Sequence, residues 1–302
     1  MWIVGSTLSI SQHSLMGEHP ASDAQKAAQR LAHSLIQSYS ARHAVREAID
    51  FVSGYASCEV QPEGDWLRIA LPTDPLASLG IPGGYGVKGG AAREALAVAL
   101  GLRALRQPRD VDVVRRGKHP LPLDEDVART LMPRDFAHGA RVELIRELPR
   151  YLTSRDLTVN EVVAEGGAVS VSLIGALDSI GQVLRPARYR GGTLHRKPSL
   201  HGQSLLKMAR LYAEGSFEGE SWSIEGIPEE VSFSEFDLAV HLNKAFQRGR
   251  PVVERFLHAC TLLSLITASE DPVRDALEHL EHLRHGERGL LPDVPAAEWE
   301  RV

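Results

Sequence analysis

The stretch from Gly83 to Val114, GGYGVKGGAAREALAVALGLRALRQPRDVDVV, restricts the possible folds of this chain more than any other. Gly86-Val87-Lys88 reads as a short strand and Gly89-Gly90 as a turn. Ala91-Ala92-Arg93-Glu94-Ala95-Leu96 is a run of strong helix formers. A short link leads to Asp110-Val111-Asp112-Val113-Val114, an apolar run carrying two aspartates. Residues i and i+2 of a strand share a face, so both carboxylates would stand side by side. Two ionised carboxylates that close repel, so one is protonated or a cation sits between them. A hard divalent ion such as Mg²⁺ suits an oxygen-only pair and shares its coordination with substrate phosphates. Aspartate pairs at strand ends also occur simply facing water; the upstream glycines favour the metal reading. Glycines let backbone approach a phosphate, and a helix N-terminus presents free N–H groups to it. Glycine turn, helix and carboxylate strand together predict a nucleoside-triphosphate site.

A second motif overlaps the first. Gly84-x-Gly86-x-x-Gly89 formally fits a dinucleotide-binding fingerprint, with an acid about 20 residues later. It ranks lower, because its last glycine would lie in the turn and no further alternation of strands and helices follows.

The rest of the chain sets bounds. Its 302 residues, 43% hydrophobic and 24% charged, support ordinary globular cores and two domains. A formal net charge of −5 excludes a chain that is basic throughout, so any nucleic-acid contact must be local. Two cysteines, Cys58 and Cys260, argue against a disulfide framework and suit a cytoplasmic setting. No apolar run reaches membrane-spanning length, and the first residues lack the basic start of a secretory signal. Residues 1–20 read as a loose leader. Residues 21–52 read as helix, with Ser22 as N-cap and Ala27, Leu31, Leu35 and Ile36 on one face, followed by a second amphipathic piece at 44–51. A strand is predicted at 66–71, a helix at 124–132 and a strand at 141–145. Glu143 in that last strand is either a third acid beside the aspartates or an edge-strand surface residue. Residues 162–171 read as a hairpin with a glycine turn. The last third reads as three helices. There His279, His282 and His285, interleaved with Glu278 and Glu281, suggest a wet outer face, with Leu277, Leu280 and Leu283 turned inward.

Three motifs in order give a resemblance over about residues 84–212. Gly89-Gly90-Ala91-Ala92-Arg93-Glu94-Ala95-Leu96 followed by Asp110-Val111-Asp112 is similar to G-G-x-V-R-D-x-L followed by D-x-D. Ser154-Arg155-Asp156-Leu157-Thr158-Val159-Asn160 is similar to R-R-D-F-T-I-N, and Gly175-Ala176-Leu177-Asp178 echoes G-G-x-x-D-L. Leu200–Leu211 stands where an arginine-studded helix of the form E-D-x-x-R-x-L-R-A-x-R-F is found. The chain thus resembles the class II CCA-adding tRNA nucleotidyltransferases and bacterial poly(A) polymerases, within the polymerase β-like superfamily.

The resemblance implies an α+β fold, with a small mixed-sheet nucleotidyltransferase head at 81–183 and a helical neck and body at 184–302; residues 1–80 read as a mostly helical N-terminal extension, where the family has few residues. It implies that Asp110 and Asp112 hold two Mg²⁺ ions and that an NTP (ATP or CTP) donates its nucleotide to an acceptor hydroxyl, an RNA 3′ end. The alternatives are a non-RNA acceptor or an inactive nucleotide- or RNA-binding relative. Glu143 is the candidate third catalytic acid from its strand position. Gly89, Gly90, Arg93, Arg155, Asp156, Asn160, Lys207 and Arg210 would bind the nucleotide. Departures are concrete: Ser154 replaces the first arginine of R-R-D, Glu94 replaces an aspartate, and His201 and Ser204 replace the two residues that resemble a template for base choice.

Charge adds a partner. From Ser179 to Ala213 there is no acid, while Arg185, Arg188, Arg190, Arg196, Lys197, Lys207 and Arg210 fall in that span, with His195 and His201. Such a stretch predicts a basic patch for nucleotide or RNA.

Overall fold

The computed structural model describes residues 8–9, 14–17, 20–37, 42–71, 80–81, 83–106, 111–117, 142–187, 198–227 and 230–286. In chain order the first elements are β1 (Leu8–Ser9), β2 (Ser14–Leu15), α1 (Asp23–Gln37), α2 (Arg42–Tyr55), β3 (Val60–Glu63), β4 (Trp66–Ala70), β5 (Gly86–Lys88), α3 (Gly89–Ala99), β6 (Asp112–Arg116) and β7 (Glu143–Ile145). Then come α4 (Leu148–Thr153), β8 (Val162–Glu165), β9 (Ala168–Ser172), α5 (Leu173–Gly181), β10 (Val183–Leu184) and α6 (Pro198–Phe217). The last are β11 (Ser223–Glu225), β12 (Glu230–Val231), α7 (Glu235–Phe246), α8 (Arg250–Leu262) and α9 (Pro272–Gly286). The expected combination of helices with mixed sheets is present. The helix expected at 124–132 lies outside the described residues.

Two compact units emerge. One comprises Ser22–Gly181 and Ala187–Gly192; the other comprises Met1–Ala21, Gln182–Pro186 and Thr193–Val302. The first is built on a seven-stranded sheet of order β3-β4-β9-β8-β5-β6-β7. Its neighbours are antiparallel except β6 and β7, which run parallel. Side chains alternate between faces, as the pleat requires. Leu67, Ile69, Val87, Val113, Val162, Ala164, Val169 and Val171 form one core with α1, α2, α3 and α5. Val114, Ile145 and Val163 point the other way and pack with Leu148, Tyr151 and Leu152 of α4. The hairpin β8–β9 turns on Gly166 (φ +56°) and Gly167 (φ +73°), a two-residue link in which both positions need positive φ.

The division expected at residue 80 is not where the contacts divide. Helix α1 begins with a reciprocal cap: Gln25 N–H donates to Ser22 Oγ (3.2 Å) and Ser22 N–H donates to Gln25 Oε1 (2.6 Å). Its Ala28, Ala32 and Leu35 are fully buried in the sheet's helix-side core. Burying Leu35 alone is worth about 1.5–3 kcal/mol. Strands β3 and β4 extend the sheet itself. Residues 22–70 therefore belong to the same unit as the central strands, because they cover apolar surface that those strands cannot bury alone.

The dinucleotide reading fails on topology. A dinucleotide-binding βαβ unit joins parallel strands, whereas β5 and β6 are antiparallel neighbours on either side of α3. Gly86 instead sits inside β5, where a Cβ would lie 2.7 Å from the Ala164 carbonyl oxygen.

In the second unit α6 packs on α7 and α8, and α9 packs on α7 and α8. Helix α7 opens with Ser234, whose Oγ accepts from Asp237 N–H (3.1 Å) while Asp237 accepts from Ser234 N–H (2.9 Å). The first residues are not a loose leader throughout: Leu8–Ser9 pairs with β12 and Ser14–Leu15 pairs with β11. The histidine face is also corrected in part. His282 is exposed, but His279 is half-buried beside Glu235 of α7, and burial pushes its pKa below the ordinary value. Among the described residues no helix is long and apolar enough to cross a membrane.

Candidate active site

Strand β5 passes into α3 without a loop. Lys88 is the N-cap in extended conformation, and Gly89 follows at φ +62°. That left-handed conformation strains any residue with a Cβ. A Cβ at Gly89 would also lie 2.7 Å from Asp112 Oδ2. The glycine thus makes the turn possible and leaves room for the carboxylate. Asp112 is opposite Lys88 in the β5–β6 register. It is half-buried, and its carboxylate makes no hydrogen bond or ion pair with a described residue. Asp110 lies outside the described residues.

Glu143 of β7 is opposite Val114, two residues beyond Asp112, so Lys88, Asp112 and Glu143 share one face of the sheet. Glu143 is not a bare edge residue. It accepts from Lys88 Nζ through one oxygen and from Arg155 Nη2 through the other (3.5 Å). Arg155 in turn lies over the Tyr151 ring, 4.1 Å from its centroid, and donates to the Tyr151 hydroxyl and to Ser154 Oγ, each at 3.2 Å. Ser154, which stands where the resembled motif has an arginine, thus serves as an acceptor for the arginine that remains. Burial pushes the Tyr151 phenol well above its ordinary range; Arg155 pulls it down, and Glu143 and Asp112 push it up again. The phenol therefore stays protonated at neutral pH and is no base.

Arg93, one turn into α3, donates to Asn160 Oδ1. Asn160 Nδ2 donates to Asp156 Oδ1 (2.7 Å), which also accepts from Leu157 N–H (2.9 Å). Thr158 Oγ1 holds the same turn to the buried Asp178 (2.6 Å). This chain of bonds fixes Arg93 near Gly90, whose Cβ position is 4.0 Å from Arg93 Nη2. Asn160 is 4% exposed and serves the scaffold of the turn.

Lys207 and Arg210 lie on α6, in the other unit. Arg210 is buried and donates to Glu214 Oε1 (2.5 Å) and His241 Nδ1 (3.4 Å). Arg185 is buried against Glu225 (3.2 Å). The acid-free stretch is thus corrected as an open patch at these two positions, because its cations meet acids from outside the window. Arg188, Arg190, His195, Arg196 and Lys197 lie outside the described residues.

Two residues escaped the sequence reading. Lys88 could have been found by register, as the residue preceding the glycine turn on the face of Asp112. Tyr151 could have been found by its spacing four residues before Arg155.

The oxygen donor of Asp112 beside a glycine suits Mg²⁺. Among the described residues, however, no group of three or more His, Cys, Asp or Glu is placed to hold a metal, and both oxygens of Glu143 are engaged by cations. No protein-family model matches the chain, and no curated protein matches it in sequence.

Proposed function

We propose that this chain is a Mg²⁺-dependent nucleotidyltransferase of the polymerase β-like kind. It transfers a nucleoside monophosphate from an NTP, ATP or CTP, to an acceptor hydroxyl, with an RNA 3′ end as the acceptor. One observation carries the reading: a strand enters a helix through Gly89 at φ +62°, and the Asp112 carboxylate stands 2.7 Å from that glycine's Cβ position. In this arrangement a polyphosphate can approach the turn while a carboxylate without a counter-ion among the described residues faces it.

The reaction joins the acceptor oxygen to the α-phosphorus and breaks the bond from that phosphorus to the oxygen of the departing pyrophosphate. The hydroxyl proton leaves to solvent. Asp112, with Asp110, would hold the metal, which when bound supplies a more acidic acceptor hydroxyl and charge neutralisation at the triphosphate. Gly89 and Gly90 admit the phosphates. Arg93, fixed through Asn160 and Asp156, presents a guanidinium beside Gly90, and Arg155 presents a second one from its seat on Tyr151. The RNA contact assigned to residues 185–210 has to come from members other than the paired Arg185 and Arg210. A cytoplasmic setting belongs to the same proposal and is supported by two free cysteines.

A second reading, a nucleotide- or RNA-binding relative without turnover, is favoured by the engagement of Glu143 with Lys88 and Arg155. Incubation of the protein with Mg²⁺, each labelled NTP and total RNA separates the two. Label on RNA that disappears in Asp112→Ala supports transfer. NTP binding with no pyrophosphate release supports the binder, and absence of both removes each reading.

A further inference from the structure

Glu143 is gripped by two cations that come from different elements. Lys88 ends the strand before the glycine turn, and Arg155 follows α4. The side chains of Lys88 and Glu143 are 25% and 37% exposed, so the cluster opens to solvent. Arg155 is held by the Tyr151 ring and by Ser154 Oγ, and the same Nη2 donates to Glu143 Oε1 (3.5 Å). A lysine point charge beside an arginine fork is the donor set that phosphate oxygens and carboxylate oxygens both satisfy. Lys88 is in register with Asp112, which borders the Gly89 turn. The two cations therefore flank the place where the proposed triphosphate would lie. A third metal-holding acid would be expected to keep its oxygens clear of such partners, as Asp112 does.

Resting on the nucleotidyltransferase reading, we propose that Lys88 and Arg155 are polyphosphate-binding residues. Glu143 is their internal placeholder, displaced when an NTP binds, and not a third metal-holding carboxylate. Between NTPs the glutamate keeps both cations in place and offsets one of their two charges. On binding, phosphate oxygens replace its two oxygens.

The test is equilibrium binding of ATP, CTP and inorganic tripolyphosphate in EDTA to wild type, Glu143→Gln, Lys88→Met and the double variant. Thermal melting serves as the check of folding. Because the amide no longer competes as an anion, Glu143→Gln is expected to bind all three about fivefold more tightly, and Lys88→Met about fivefold more weakly. The double variant should lose most of the gain. Wild-type binding with Glu143→Gln unchanged or weaker overturns the inference and returns Glu143 to the metal. So does a folded Lys88→Met with unaltered affinity, even if the glutamine variant fails to fold. A wild type that binds none of the nucleotides, with or without Mg²⁺, overturns the nucleotidyltransferase reading itself, and this inference with it.

Discussion

The sheet rim around Asp112 and the stretch from Gln182 to Arg210 both concentrate charge, yet they dispose of it differently. At the rim, a carboxylate stands without a counter-ion among the described residues, while a lysine and an arginine share one glutamate that is half open to water. In the other stretch, Arg185 and Arg210 are buried, and each is matched by a glutamate of the same unit, Glu225 and Glu214. Charge left partly exposed and imperfectly matched can be traded for a ligand's charge. A buried matched pair cannot give up one member without leaving the other desolvated. By that criterion the rim is the place where the proposed anionic substrate and metal would have something to gain.

The sharpest way to break this contrast is Asp112→Ala. Nucleotide transfer should fall by on the order of 10²–10³-fold, with the melting temperature nearly unchanged because the carboxylate supports no described partner. Retained transfer, or collapse of the fold, would erase the distinction between the two regions. Arg210→Ala should behave in the opposite way. It removes the buried guanidinium that pairs with the half-buried Glu214 and should cost about 3 kcal/mol by chemical denaturation, without changing NTP affinity. A loss of affinity at full stability would instead support the nucleotide-binding role that the resemblance gives Arg210. Gly89→Ala sharpens the rim's side: the left-handed backbone alone should cost about 1–2 kcal/mol. The methyl group against Asp112 Oδ2 should weaken nucleotide binding as well, measured by titration.

The smallest effect concerns His279. Burial holds its folded pKa below the ordinary 6.5, Glu235 opposes this and His282 adds to it. The unfolded chain therefore takes up the proton first as pH falls. Stability present above about pH 6.5 should decline through the lowered folded value. Denaturation midpoints between about pH 7.5 and pH 5.5, compared with His279→Gln, should show a shallower decline in the variant.

Much of the local structure was legible in the sequence, for reasons visible at single residues. Ser22 with Gln25 and Ser234 with Asp237 declare helix starts through their own side chains. Gly166-Gly167 declares a hairpin through conformations that only glycine adopts freely. Gly89 before an alanine-rich run declares a strand-to-helix turn. All of these are settled within a few residues along the chain, where local sterics and hydrogen bonds dominate.

What the sequence could not decide was who meets whom across distance. Whether β5 and β6 lie parallel or antiparallel decides for or against a dinucleotide-binding βαβ unit, and that depends on sheet pairing, not on the glycine spacing. Whether α1, α2 and the β3–β4 hairpin form an extension or part of the head depends on which apolar faces need covering. Whether Glu143 is a free acid or a shared anion, and whether Arg185 is open or matched, depends on partners 12 to 55 residues away for Glu143 and 40 for Arg185, whereas Arg210 meets Glu214 four residues on, a local pair just past the acid-free window. A composition window counts charges but cannot register burial, and burial decides whether a charge is kept for the scaffold or offered to a ligand.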